Sequence, residues 1–204
     1  MHIFVCQSIF FVLALSVVSP VLYSQWRSPD TTWLYKTVDE IELSLHVYLP
    51  KDYSNIDNRA AIIFFFGGAW NNGSPGQHYG QCAYLADRGM VAMSAEYRVK
   101  SRNQTTPKEC VKDGKSAIRW LRARAKKYGI DPTRIAAGGA SAGGHVAAAT
   151  ATITGLEEAG EDLVVSSRPN ALVLFNPVFD NGPGGFGYDR MRTYWAVSYT
   201  HLTL

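Results

Sequence analysis

Gly139-Ala140-Ser141-Ala142-Gly143 sets one hydroxyl between two glycines, each two residues away. A serine hydroxyl becomes a nucleophile when the backbone lifts it clear of its surroundings and nearby N–H groups face the charge that develops on the substrate. A sharp turn from strand to helix does this, and its strained backbone demands small residues on either side. Gly139 and Gly143 meet that demand. Ile135-Ala136-Ala137 is a short apolar run suited to a buried strand, and the Ala-rich segment after Ser141 has high helix propensity. Ser141 is thus the candidate nucleophile, and the N–H of Ala142, at the start of the expected helix, is a candidate oxyanion donor. With 18 glycines in the chain, the same pattern could also arise in a strand-to-helix loop without chemistry. The flanking elements and a second motif separate the two readings.

That second motif is Phe66-Gly67-Gly68-Ala69-Trp70, placed directly after an apolar run. Acyl transfer needs more than one donor aimed at the oxyanion, and glycines let backbone N–H groups approach a ligand closely. Gly67 and Gly68 are the expected further donors. Trp70 either lines an acyl pocket or packs in the interior.

A serine also needs a general base and an acid that orients it. His145, one helical turn past Ser141, is expected on the side of the elbow away from the pocket, where it would pack. Asp180, in Asn176-Pro177-Val178-Phe179-Asp180, is a candidate acid or a surface turn residue. His201 follows in the order Ser, acid, His, but its segment, Val197 to Leu204, has neither strand nor helix patterning.

The elements that must position these groups are legible in the pattern. Ile41 to Leu49 alternates as a half-buried strand, with Leu34 to Val38 as its hairpin partner and Asp39-Glu40 turning between them. His46 falls on the polar phase, which predicts exposure. Ala60 to Phe66, Met90 to Glu96 and Ala171 to Phe175 are continuous apolar runs, as in strands buried on both faces of a parallel sheet. Ser74-Pro75-Gly76-Gln77 and Thr106-Pro107-Lys108-Glu109 both match a capping box; the helices they open are expected to end at Gly89 and Gly129. Buried strands alternating with helices predict an α/β fold with a mostly parallel sheet, helices on both faces and an antiparallel N-terminal hairpin.

At this point the sequence resembles the α/β-hydrolase superfamily, in its hormone-sensitive-lipase-like and acetyl-xylan-esterase-like esterase branch. The H-G-G-G-[WF] motif falls on Phe66 to Trp70, Y-R on Tyr97-Arg98, an acidic helix residue on Asp113 and W-L-R on Trp120-Leu121-Arg122. G-I-D-P-x-R-I falls on Gly129 to Ile135, and G-x-S-A-G-G-H on Gly139 to His145. The likeness covers about residues 33 to 190. Phe66 stands where the family often has a His that helps hold the loop, and Ala69 stands for its third glycine. The resemblance implies a structural Arg98–Asp113 ion pair and a serine carboxylic-ester hydrolase with no metal or organic cofactor. It implies acetyl or aromatic esters of polysaccharide as substrates, with a related serine peptidase or a non-catalytic binding module as alternatives. In the family the acid follows the next-to-last strand and the His the last one. Roughly 30 residues follow Phe175, too few for both, so the last two strands are expected to be missing, with residues 195 to 204 foreign. The chain is accordingly expected to fold poorly and to hydrolyse esters slowly.

Composition limits the other classes. A net charge of +3 without clustering, with Arg122, Arg124, Lys126 and Lys127 on one expected helix, leaves no nucleic-acid footprint. Residues 1 to 24 carry an uncharged apolar stretch, Ile3 to Val18, followed by Ser19-Pro20. They are read as a secretory signal cleaved after Ser24, or else as an uncleaved anchor, which predicts an exported, periplasmic or extracellular domain over residues 25–204 with no stable membrane association after cleavage. Cys6 leaves with the signal; Cys82 and Cys110 either pair or stay as buried thiols. Asn72-Gly73-Ser74 and Asn103-Gln104-Thr105 are sequons that matter only in a eukaryotic secretory route.

Overall fold

The computed structural model describes residues 27–189. The signal segment 1–24, the tail 195–204 and His201 lie outside the described residues.

Six strands, β1 (Thr31–Val38), β2 (Ile41–Tyr48), β3 (Arg59–Phe65), β4 (Val91–Ala95), β5 (Ile130–Ala140) and β6 (Ala171–Phe175), form one sheet in the order β1-β2-β4-β3-β5-β6. Strands β1 and β2 make the expected hairpin. Its turn is Asp39-Glu40, both at positive φ (47° and 64°), as a two-residue turn matching the strand twist requires. The register slips between Leu34 and Lys36. This bulge puts Tyr35 and Lys36 side by side in the interior, although Lys36 is charged. Strand β2 runs antiparallel to β4, while β4, β3, β5 and β6 are mutually parallel.

Strand β3 shows why its run lacks alternation. Ala61, Ile63 and Phe65 enter a large core on one face, and Ile62 and Phe64 a smaller core on the other. Helices α3 (Pro107–Arg124) and α4 (Ala142–Thr152) cover the first face, and α1 (Tyr79–Ala86) the second, with the one-turn helix α2 (Lys100–Asn103) leading into α3. Cys110 belongs to the first core and Cys82 to the second, so the sheet separates them and both are free thiols. Burial pushes both thiols well above the ordinary cysteine value.

Thr106 forms the expected capping box of α3, its N–H donating to Glu109 at 2.8 Å while its hydroxyl accepts from Lys108 N–H. Gly129 ends the 3₁₀ turn 125–128 after α3 in the left-handed conformation, where a Cβ would stand 2.4 Å from Ser54 O. Three expectations change. The Ser74 side chain caps nothing; Pro75–His78 is a 3₁₀ turn preceding α1, and the Gln77 side chain turns elsewhere. His46 is half-buried, Nδ1 lying 2.5 Å from the Tyr79 hydroxyl and Nε2 3.6 Å from a Glu96 carboxylate oxygen. Strand β6 is not buried on both faces: β5 is its only strand neighbour among the described residues, and Leu172, Val173 and Phe175 remain 37–41% exposed.

Candidate active site

Ser141 sits between β5 and α4 at φ 52° and ψ −120°, a conformation that L residues avoid and that a strand-to-helix reversal imposes. The surroundings explain the glycines. A Cβ on Gly139 would lie 2.5 Å from Phe65 O, and one on Gly143 only 2.0 Å from the same oxygen. A Cβ on Gly144 would lie 2.9 Å from the Pro177 side chain. The elbow is thus pressed against the end of β3 and the segment following β6. The Ser141 N–H donates to Phe175 O at 2.9 Å, and Ser141 O accepts from His145 N–H at 3.0 Å. Neither Ala142 N–H nor the Ser141 hydroxyl has a hydrogen-bond partner among the described residues.

The loop after β3 lies beside this turn. A Cβ on Gly67 would approach Ala140 O at 2.9 Å and Ser141 Cβ at 3.3 Å. One expectation is corrected here. The Gly67 N–H is not open to a substrate, because it donates to Gln77 Oε1 at 2.9 Å. Gln77 Nε2 in turn donates to Gly67 O at 3.1 Å. Gly68, at φ 136°, keeps an N–H without a described acceptor, while its carbonyl accepts from Asn71 and Asn72. Of the three N–H groups expected as donors, those of Gly68 and Ala142 have no described partner, while that of Gly67 is taken up within its own loop.

A cavity of about 360 Å³ opens at Ser141, lined by Ala69, Trp70, Val178, Phe186, Gly187 and Asp189. Trp70 is buried, and it also borders this cavity. A larger apolar groove, about 480 Å³, lies against α1 and β6 and does not include Ser141, so it is set aside as the reaction site. His145 is fully buried in α4, its ring edge-on to Trp70 with centroids 5.2 Å apart. Asp180 is exposed; its carboxylate accepts from Gly182 N–H at 2.9 Å and its carbonyl from Gly187 N–H at 2.9 Å. The Asp180 carboxylate thus shapes a turn, and no described imidazole bonds to it. Asp189, on which the sequence reading placed no role, faces the same cavity as Ser141. Among the described residues, no group of three or more His, Cys, Asp or Glu could hold a metal.

Arg98 and Asp113 form the expected ion pair. Arg98 Nη2 donates to Asp113 Oδ1 at 2.8 Å and Nε to Oδ2 at 2.9 Å; Lys36 Nζ reaches the same carboxylate at 2.6 Å. Burial works to lower the Arg98 value, but Asp113 and Glu158 raise it well above the ordinary one. A base it is not; it fixes the strand end that carries Tyr97.

A mostly parallel sheet with helices on both faces and a strained serine between β5 and α4 defines an α/β-hydrolase. The chain belongs to the BD-FAE family, whose model matches residues 45–180. The apo form of Thermogutta terrifontis esterase 2 is similar in structure, with a TM-score of 0.80 and 46% identity, covering 85% of this chain and 65% of that one. Esterase LipC of Mycobacterium tuberculosis is 43% identical over 88 residues, which are 43% of this chain and 21% of LipC. The probable carboxylic ester hydrolase LipM of the same organism is 36% identical over 135 residues, 62% of this chain and 30% of LipM. The chain thus spans between a fifth and a third of these two curated relatives.

Proposed function

We propose that this chain carries the nucleophile and oxyanion machinery of an exported carboxylic-ester hydrolase acting on acetyl or aromatic esters of polysaccharide. The observation that carries the reading is Ser141 at φ 52°, its hydroxyl unpaired among the described residues and at the mouth of a 360 Å³ cavity. Ser141 Oγ attacks the ester carbonyl carbon, giving up its proton to a general base as the new bond forms. The carbonyl π electrons move to oxygen, and the N–H groups of Gly68 and Ala142 hold that oxyanion. The intermediate collapses, the carbonyl re-forms, and the alcohol leaves with a proton; water then releases the acid by the same sequence. The similarity to proteins named as esterases supports ester over amide chemistry. A cavity of this size fits a short acyl group, and butyrate is bound in one structure of the Thermogutta esterase.

No described imidazole bonds to the Ser141 hydroxyl, and the general base is not assigned among the described residues. The test compares p-nitrophenyl acetate and butyrate, acetylated xylan and dipeptidyl amides, each with the wild type and with Ser141→Ala. Ester turnover that vanishes in Ser141→Ala supports the reading. Faster amide than ester cleavage, or an unchanged rate in Ser141→Ala, overturns it.

A further inference from the structure

We propose that Gln77 is the positioning residue of the oxyanion loop, holding the Gly67–Gly68 peptide plane in the one orientation that leaves the Gly68 N–H available. The proposal rests on the hydrolase reading for its consequence, but its geometry is independent of it.

The polar groups of the loop are held in sequence. His78 Nε2–H donates to Phe65 O at 3.1 Å, and the Tyr97 hydroxyl donates to Phe66 O at 2.5 Å. Lys100 N–H donates to Trp70 O, Ser101 N–H to Asn71 O, and the Arg102 guanidinium to Gly73 O at 2.8 Å. Gly67 stands apart because both of its backbone groups go to one side chain, Gln77. Gly67 O and Gly68 N–H belong to the same peptide unit, which is planar and trans, so they point in opposite directions. Holding Gly67 O against Gln77 Nε2 therefore turns the Gly68 N–H away from Gln77. Glycine has little intrinsic preference at either position, so this peptide could flip at small cost without the clamp.

The chemistry of the clamp selects glutamine. It needs an acceptor for the Gly67 N–H and a donor for Gly67 O, at fixed spacing. A carboxylate supplies the acceptor alone and sets a second oxygen against Gly67 O. A thioether of the same length supplies no donor and only a weak acceptor. A protonated carboxylic acid supplies both. Gln77 is itself anchored from below, since the 3₁₀ turn that carries it is tied to β4 by Ser94 Oγ donating to Pro75 O at 2.8 Å.

The experiment measures kcat and KM on p-nitrophenyl butyrate for the wild-type chain, Gln77→Met and Gln77→Glu across the acidic and neutral range, together with amide hydrogen exchange at Gly67. Misplacement of a catalytic donor by about 1 Å costs on the order of 10²-fold. Both variants are expected to lose about that factor in kcat at neutral pH, with KM changed by less than about two-fold. Gln77→Glu is expected to recover relative to the wild type as pH falls toward the ordinary glutamate value, about 4.3, because the protonated acid restores the donor; Gln77→Met is not. A purely structural role would produce no such acid rescue. Gly67 exchange is expected to quicken in Gln77→Met while the protected core amides of β3 and β5 do not change. An unchanged kcat in Gln77→Met, a Gln77→Glu to wild-type ratio flat with pH, or unchanged Gly67 exchange overturns the proposal. If the wild-type chain turns over no ester, the hydrolase reading falls, and Gly67 exchange alone decides whether Gln77 holds the loop.

Discussion

Ser141 stores strain in the backbone rather than in the side chain. Its φ of 52° with ψ of −120° is reached easily only by glycine, and a residue so placed costs about 1–3 kcal/mol. Replacing it by glycine removes that strain but adds about 0.4–1 kcal/mol of chain entropy to the unfolded state. The strain is the larger of the two. Ser141→Gly is therefore expected to be more stable than Ser141→Ala by about 1 kcal/mol in urea denaturation, with both lacking hydrolysis. Equal stability of the two would mean that the turn is relaxed. Gly143 shows the opposite constraint. Its missing Cβ would stand 2.0 Å from Phe65 O and 2.3 Å from Phe66 O, both backbone atoms that cannot step aside. Gly143→Ala is expected to cost at least about 1–3 kcal/mol, the usual range for overpacking, and to displace the end of β3 and the loop after it as it does so. A melting temperature equal to the wild type would count against that close approach.

The helix α3 works through its buried charges. Asp113 is fully buried and accepts from Arg98 and Lys36 together, so one carboxylate joins β1, the end of β4 and α3. Removing one partner of a buried pair leaves the others uncompensated, at about 3–5 kcal/mol. Asp113→Ala is expected to lose that much in chemical denaturation, a large share of a typical folding free energy. A second set ties α3 to the loop after α4. Lys115 Nζ donates to Ile153 O, Gly155 O and Glu157, Arg119 bonds Glu157 and Glu161, and Glu158 receives Lys36 and Arg98. Burial works to raise the values of Glu157 and Glu158. Bonds from Lys115 and Arg119 to Glu157, and from Lys36 to Glu158, outweigh burial and hold both below the ordinary glutamate value. The folded state then binds fewer protons than the unfolded one. The contribution is complete above the unfolded value, about 4.3, and is lost as pH falls through the lower folded values. Stability of the wild type should therefore drop steeply below about pH 4, and the Glu158→Gln variant should show a shallower acid slope. Parallel slopes for the two proteins would remove Glu158 from the account.

At the scale of the molecule, one sheet separates two cores, and its two outer strands differ in kind. Strand β1 closes one edge with a short bulged hairpin. Strand β6 forms the other edge among the described residues, with Leu172, Val173 and Phe175 more than a third exposed and the 480 Å³ groove beside them. An apolar edge strand is a template for pairing with another chain. Concentration-dependent association is therefore expected for the wild type in light scattering. Val173→Lys, which places a charge on the edge, should suppress it with little change in the melting transition. Association unaffected by Val173→Lys would locate the sticky surface elsewhere.

The positions of the strands, the Asp39-Glu40 turn, the Thr106 capping box and the Gly139–Gly143 constraint could all be read from local pattern, because each depends on side-chain periodicity or on backbone freedom over a few residues. The Phe66-Gly67-Gly68-Ala69-Trp70 loop was also recognisable as a partner of the elbow, since a run of glycines after a buried strand has few other uses. What the pattern could not decide was which N–H of that loop is engaged. Gln77 fitted a local capping box as well as it fitted nothing else, and only the packing of the 3₁₀ turn against β4 carries its carboxamide to Gly67. The same holds for His46, whose polar phase predicted exposure until Tyr79 of α1 came to lie across it, and for Lys36, turned inward by a bulge. The two cysteines stay apart because the sheet runs between their cores. Hydrogen-bond partners distant in sequence are chosen by the way elements dock. The sequence states which groups need partners; the tertiary structure alone determines which partner each one gets.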